Sequence, residues 1–212
     1  MIVYGSSMSP FVRKVIAFAV EKGIEFELKP MGVGSPDPDF AAASPFRKMP
    51  ALRDGDFTVS DSTAIVTYFD ALRPDPILIP AEPKARARTI WFEEFADTIL
   101  GPVGARMFFN RVVAPRFLGR EGDLAVAERA QTEELPPVLD YLEGQIPAGG
   151  HLVEDRLTLA DIAVASPLAN LEYAGCPLDR ARYPRIAAFA DAILSRPSFA
   201  PYIEKERRFL SR

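Results

Sequence analysis

Apolar residues recur at spacings of two and of three to four in alternation over the first part of this chain, and only at three to four afterwards. The chain opens on a short apolar run, Ile2-Val3-Tyr4, that reads as a strand. Val12, Val15, Ile16 and Ala19 then follow at helical spacing. Pro10 suits the first turn of that helix, where its missing N–H would have had no partner, and Gly23 closes it as a C-cap. Ser9 falls at the N-cap, where a hydroxyl can accept from an orphan backbone N–H and where the helix dipole attracts anions. Glu25 to Lys29 alternates as a strand, Gly32 to Pro38 is a loop, and Asp39 to Ala43 can hold a helical turn. Met49-Pro50-Ala51-Leu52 puts a proline at the mouth of an apolar strand, and Asp54-Gly55-Asp56 turns it back into Phe57-Thr58-Val59. Asp61 or Ser60 then caps a helix carrying Ile65, Tyr68, Phe69 and Leu72.

The pattern changes after Arg73. Pro74, Pro76, Pro80 and Pro83 cannot continue a helix and make a stiff connection. Beyond them the spacing is helical throughout. Arg88 to about Asn110 forms a long helix, perturbed near Gly101-Pro102, and Leu124 to Leu142 forms another, bent at Pro136-Pro137. Thr158 with Asp161 reads as a capping box with a shortened acid, and Ile186 to Leu194 and a tail from Ser198 complete the set. The division is residues 1–78 as a small α+β domain, 79–86 as the Pro-rich linker, and 87–212 as an all-helical domain.

Composition narrows the function. The chain has 212 residues, 48% hydrophobic and 25% charged, as a soluble globular protein does. A net charge of -4 gives no general attraction to nucleic acid or anionic membranes, so an anionic ligand must be held by local groups. No apolar run is long enough to span a bilayer, and the start lacks the pattern of a signal peptide. The lone Cys176 rules out an internal disulfide and a Cys-x-x-Cys redox pair, which makes a cytoplasmic address the default. No metal-ligand spacing is present, and the single His151 reads as a solvated loop residue.

Taken in order, Ser9-Pro10-Phe11-Val12, Glu21-Lys22-Gly23, Lys48-Met49-Pro50-Ala51-Leu52, Ser60-Asp61-Ser62 with Ile65, and Thr158-Leu159-Ala160-Asp161 resemble the soluble glutathione transferases. The resemblance covers essentially the whole length and is nearest the serine-type tau, phi, theta and zeta patterns. It implies a thioredoxin-like N-terminal domain followed by an all-helical one, with glutathione as co-substrate. It implies that Ser9 donates to the glutathione thiolate, that the bond before Pro50 is cis, and that the Met49 main chain pairs with the cysteinyl unit. Asp61 and Ser62 match the acid–serine pair for the γ-glutamyl end, although the family more often has Glu there. Lys48 matches the residue that meets the glycyl carboxylate. Each has a plainer reading: Ser9 and Asp61 as helix caps, Lys48 as a solvated charge.

The resemblance further implies a small hydrophobic electrophile bound between the domains, with Met8, Phe11, Phe95, Ile99, Met107, Phe108 and Phe109 as candidates. For each of these, ordinary core packing is the competing reading. It implies a homodimer that uses the long helix from Arg88 and the preceding domain, and Trp91, Phe92 and Phe95 supply more aromatic surface on that helix than one intramolecular face needs. The expected reaction is attack of the thiolate on the electrophile. The alternatives are a glutathione-dependent lyase, isomerase or peroxidase, and a non-catalytic binding protein. Neither nucleic acid nor membrane is expected as partner.

Overall fold

The computed structural model describes residues 1–32 and 34–211. Its chain falls into two compact units, residues Met1–Ile79 and Pro80–Arg212.

The first unit runs β1 (Ile2–Tyr4), α1 (Pro10–Glu21), β2 (Glu27–Lys29), α2 (Pro38–Ala43), β3 (Ala51–Asp54), β4 (Phe57–Ser60) and α3 (Ser62–Leu72). The four strands lie in the order β2-β1-β3-β4. β1 pairs with β2 in parallel, as a right-handed crossover through α1 allows, and β3 runs antiparallel to both β1 and β4. This mixed sheet with helices against it is a thioredoxin-like arrangement. α1 ends in a Schellman motif: the Gly23 N–H reaches the Val20 carbonyl at 3.0 Å and the Ile24 N–H reaches that of Ala19 at 2.9 Å. Gly23 takes the left-handed conformation this needs, with φ +63°. Val12, Val15, Ile16, Phe18 and Ala19 are buried, which accounts for the helical spacing in the sequence. The bonds before Pro50 and Pro76 are both cis.

The second unit is helical. α4 spans 83–117, α5 spans 124–145, and α6 (Leu159–Tyr173), α7 (Pro184–Leu194) and α8 (Ala200–Leu210) follow. α4 thus starts earlier and runs further than the spacing alone predicts. Wider π-type turns interrupt α4 at Ala96–Leu100 and Phe109–Val113, and α5 at Ala130–Glu134. Each ends two residues before an interior proline, Pro102, Pro115 or Pro136. A proline removes one N–H and crowds the carbonyl four residues back, and a widened turn relieves both effects. α6 is buried along most of its length and packs against α4 and α7.

Asp161, in the first turn of α6, is fully buried and accepts the Thr158 and Leu152 N–H groups, each at 2.8 Å, and the Thr158 hydroxyl at 3.1 Å. The loop side chain His151 is a correction to the sequence reading. Its Nδ1 is buried 3.7 Å from Asp161 Oδ1, although the ring as a whole stays 27% exposed, so it is solvated on one side only. No helix among the described residues is long and apolar enough to cross a membrane.

Candidate functional site

Strand register assembles the site of the first unit. Tyr4 ends β1 and pairs with Ala51, the first residue of β3, which in turn pairs with Ser60, the last of β4. Because β3 runs against both neighbours, the chain leaving β1, the chain entering β3 and the chain leaving β4 emerge from one end of the sheet. Those three segments carry Ser9, Lys48-Met49-Pro50 and Asp61-Ser62. Strands lie about 4.8 Å apart, so the three segments span roughly 10 Å, the reach of an extended tripeptide.

Two contacts draw the segments together. The Asp61 N–H donates to the Pro50 carbonyl at 3.3 Å. Gly5 lies so near Val12 and Met49 that an added Cβ would stand 2.5 Å from a Val12 methyl and 3.4 Å from Met49 Cβ. A side chain at position 5 would therefore push the β1–α1 turn away from the entry to β3.

Ser9 is the N-cap of α1 by backbone position, with φ −76° and ψ 125°, and is half-buried. Its hydroxyl makes no capping hydrogen bond, contrary to the ordinary capping role. The turn is held by the main chain: the Ser9 N–H reaches the Ser6 carbonyl at 2.9 Å, and the Ser9 carbonyl accepts from Arg13 at 2.9 Å. No acidic side chain occupies the first turn of α1, so the positive helix end is not neutralised from within. The hydroxyl is left as a donor at a site that favours an anion.

Met49 is half-buried and lies just outside β3, paired with no strand. Lys48 is exposed, while its main chain is pinned by Ser44, whose hydroxyl donates to the Lys48 carbonyl at 2.7 Å and accepts the Lys48 N–H at 3.0 Å. Sequence reasoning passed over Ser44; its position between the Ala41-Ala42-Ala43 run and Pro45 was the available signal. Asp61 is exposed and does cap α3. One oxygen, Oδ1, takes both the Thr63 N–H at 2.9 Å and the Ala64 N–H at 3.1 Å. Its φ of +94° is a conformation that side chains rarely adopt, held in place by the strand before and the helix after. Ser62 is buried, at 3% exposure.

The apolar candidates divide by exposure. Phe11 and Phe108 are half-buried, and the Phe108 ring lies 6.4 Å from that of Tyr173. Met107 is fully buried in the helical unit, so it packs rather than offering a surface. Phe92 and Phe95 are likewise core, at 1% and 2% exposure, which corrects their assignment to spare aromatic surface; Trp91 is 47% exposed. Trp91, Ile99 and Tyr141 rim an open apolar groove of about 240 Å³ floored by Phe95, Pro137 and Val138. Trp91 Nε1 donates to the Tyr141 hydroxyl at 3.0 Å across it. No group of three His, Cys, Asp or Glu side chains converges among the described residues. Burial raises the thiol pKa of Cys176 above its ordinary value, against the opposing pull of the nearby Arg111 charge.

Family models for the N-terminal and C-terminal domains of glutathione S-transferases match residues 3–77 and 114–206. Glutathione S-transferase 3 of Zea mays is 33% identical, over 93% of this chain and 90% of its own length. Maleylacetoacetate isomerase of Rattus norvegicus is 28% identical, over 92% of this chain and 87% of its own. Among solved structures, glutathione transferase F7 of Populus trichocarpa superposes with a TM-score of 0.83 at 28% identity, covering 96% of this chain and 97% of that one.

Proposed function

The chain belongs to the glutathione S-transferase family, and from that premise we propose that it holds glutathione as a thiolate against Ser9 and delivers it to a small apolar electrophile. One observation carries the assignment of Ser9: its hydroxyl stands at the positive end of α1 and is not spent on capping the helix.

The energetics are sufficient. A free thiol has a pKa of about 8.5, and lowering it to ~6.5 takes roughly 2.7 kcal/mol at 1.36 kcal/mol per unit. A hydrogen bond from the Ser9 hydroxyl to the sulfur anion supplies about 1.5–3 kcal/mol. The helix end supplies ~0.3–1, rising to about 2 when partly buried. Serine is a donor here and not a nucleophile, so it needs no base beside it.

The other contacts follow the sheet end. The unpaired Met49 main chain meets the cysteinyl unit as a strand would. Asp61 Oδ2 is left to take the γ-glutamyl ammonium while Oδ1 caps α3, and Ser62 lies beside it. Lys48, exposed on a pinned main chain, meets the glycyl carboxylate. Phe11 and Phe108 offer apolar surface to the electrophile, with Met107 as packing behind Phe108. The protein works in the cytoplasm as a homodimer, with the groove at Trp91 and Tyr141 covered by the second copy.

Ser9→Ala tests the reading. Turnover with an aryl halide electrophile should fall by ~10–100-fold and the pKa of the bound thiol should rise, while glutathione affinity changes much less. Unchanged turnover together with an unchanged thiol pKa refutes it. A second reading, isomerisation by reversible thiolate addition, is favoured by the likeness to the rat isomerase. It predicts turnover of a cis-enone without net consumption of glutathione.

A further inference from the structure

One buried serine organises the loop that leads into β3. Ser44 is 1% exposed and follows α2, where its N–H donates to the Phe40 carbonyl at 2.8 Å and fixes it to the end of that helix. Its carbonyl accepts the Arg47 N–H at 2.8 Å, which closes a turn over Pro45 and Phe46. Its hydroxyl donates to the Lys48 carbonyl at 2.7 Å and accepts the Lys48 N–H at 3.0 Å. One side-chain oxygen therefore holds both main-chain groups of the residue that precedes Met49. Phe46, at the crest of the turn, is 86% exposed, so hydrogen bonds rather than apolar packing hold this loop.

The loop needs that hold. Arg47 sits at φ +53°, a left-handed conformation that a residue with a side chain adopts only when its surroundings impose it. The bond from Arg47 Nη1 to the Ser35 carbonyl, at 3.0 Å, is exposed to water and restrains it weakly. Without the Ser44 hydroxyl, Arg47 can return to a negative φ, and rotation there swings Lys48 and shifts the Met49 main chain. On the far side of Met49, the Pro50 carbonyl accepts the Asp61 N–H at 3.3 Å. Met49 thus lies between two fixed points, one of which is Ser44.

We infer that Ser44 is a positioning residue for glutathione: by locking the Lys48 main chain it sets Lys48 and Met49 against the cysteinyl-glycine half of the tripeptide. The inference rests on the reading above that Lys48 and Met49 meet that half. Ser44 itself lies beneath the loop and touches no substrate. Its contribution is to order the loop before the ligand arrives, so that binding does not have to. The γ-glutamyl anchor at Asp61 and the Ser9 hydroxyl belong to other segments. Loss of the Ser44 hydroxyl therefore weakens the grip on the glycyl end and spares the chemistry at sulfur.

The test compares glutathione with its glycyl monoethyl ester, which lacks the terminal carboxylate, in turnover of an aryl halide and in calorimetric titration of the full chain. The wild type should prefer glutathione to the ester by about three- to tenfold. Ser44→Ala should raise the KM for glutathione by about three- to tenfold, keep kcat within about twofold, and shrink the preference to below about twofold. Ser44→Cys fills the same space with weaker hydrogen bonds and should shift both values less, in the same direction. General loosening of the fold would weaken both ligands alike. An unchanged preference in Ser44→Ala therefore overturns the inference, whatever happens to the melting midpoint, and so does a wild type that does not discriminate. Lys48→Met separates the inference from the reading beneath it. A preference lost in Ser44→Ala but kept in Lys48→Met supports Ser44 as acting through the Met49 main chain and removes Lys48 from the glycyl end. The titration gives the same ratio without turnover, so failure of the thiolate reading leaves this test intact.

Discussion

Asp61 is asked to do two things at once, and its geometry allows them to be separated. Oδ1 accepts both the Thr63 and the Ala64 N–H, so capping engages one oxygen and leaves the other for a ligand. The residue also holds φ at +94°, which costs a side-chain-bearing residue about 1–3 kcal/mol. Three substitutions divide these terms. Asp61→Asn keeps an oxygen acceptor for the cap and should cost less than about 1 kcal/mol, the share of charge at a helix N-terminus. Asp61→Ala loses the cap at the same φ and should cost about 1 kcal/mol, within a range of about 0.5–2. For a chain of this size that lowers the melting midpoint by roughly 2–4 °C. Asp61→Gly loses the cap but relieves the backbone, so its stability should match or exceed that of Asp61→Ala. Glutathione affinity should follow a different order. All three lack the anion that meets the γ-glutamyl ammonium, so all should bind ~10–100-fold more weakly, the worth of a charge-assisted hydrogen bond of about 1.5–3 kcal/mol. Thermal melts and calorimetric titration of glutathione on the same preparations give both orders. Wild-type affinity in Asp61→Asn refutes the anchoring role, and Asp61 is then a cap alone.

Other expectations are independent of that pair. Lys22 is fully buried, in ionic contact with Asp70 at 2.6 Å and donating to the Pro74 and Pro76 carbonyls at 2.9 and 2.6 Å. Lys22→Met should therefore destabilise by about 3–5 kcal/mol in urea unfolding, and a loss below ~1 kcal/mol means the ammonium is dispensable. Light scattering at micromolar concentration should give twice the 23.4 kDa chain mass, and Trp91→Arg should shift it toward one chain; a wild-type monomer refutes the dimer. Asp37 is held below its ordinary value of 3.8 first by the Phe40 N–H it caps and then by the Lys29 ammonium. A lowered folded pKa means stability present above 3.8 and lost as pH falls through the folded value. Asp37→Asn should flatten that acid limb in thermal midpoints read downward from pH 5, and an unchanged limb refutes the assignment.

The sequence alone determined what is encoded within a few residues. Ile2-Val3-Tyr4, the Val12-to-Ala19 spacing and the Asp54-Gly55-Asp56 turn each prescribe an element through local period, propensity and capping. So do Ser9 at a helix start and the proline cluster after Arg73, and the order of these elements already separates a mixed α+β unit from a helical one. Tertiary structure decided what depends on partners distant in the chain. Ser9, Met49 and Asp61 face one end of a sheet only because β3 runs against both β1 and β4, a register that no single segment contains. Nothing local to Glu21-Lys22-Gly23 reveals that Asp70 and the Pro74 and Pro76 carbonyls enclose Lys22, and Phe92 and Phe95 read as spare surface until packing covers them. His151 is similar: only the fold of its loop sets it beside a buried carboxylate. Periodicity reports which face of an element is apolar, while the free energy of burying a charge or covering a ring depends on which groups the rest of the chain brings to it.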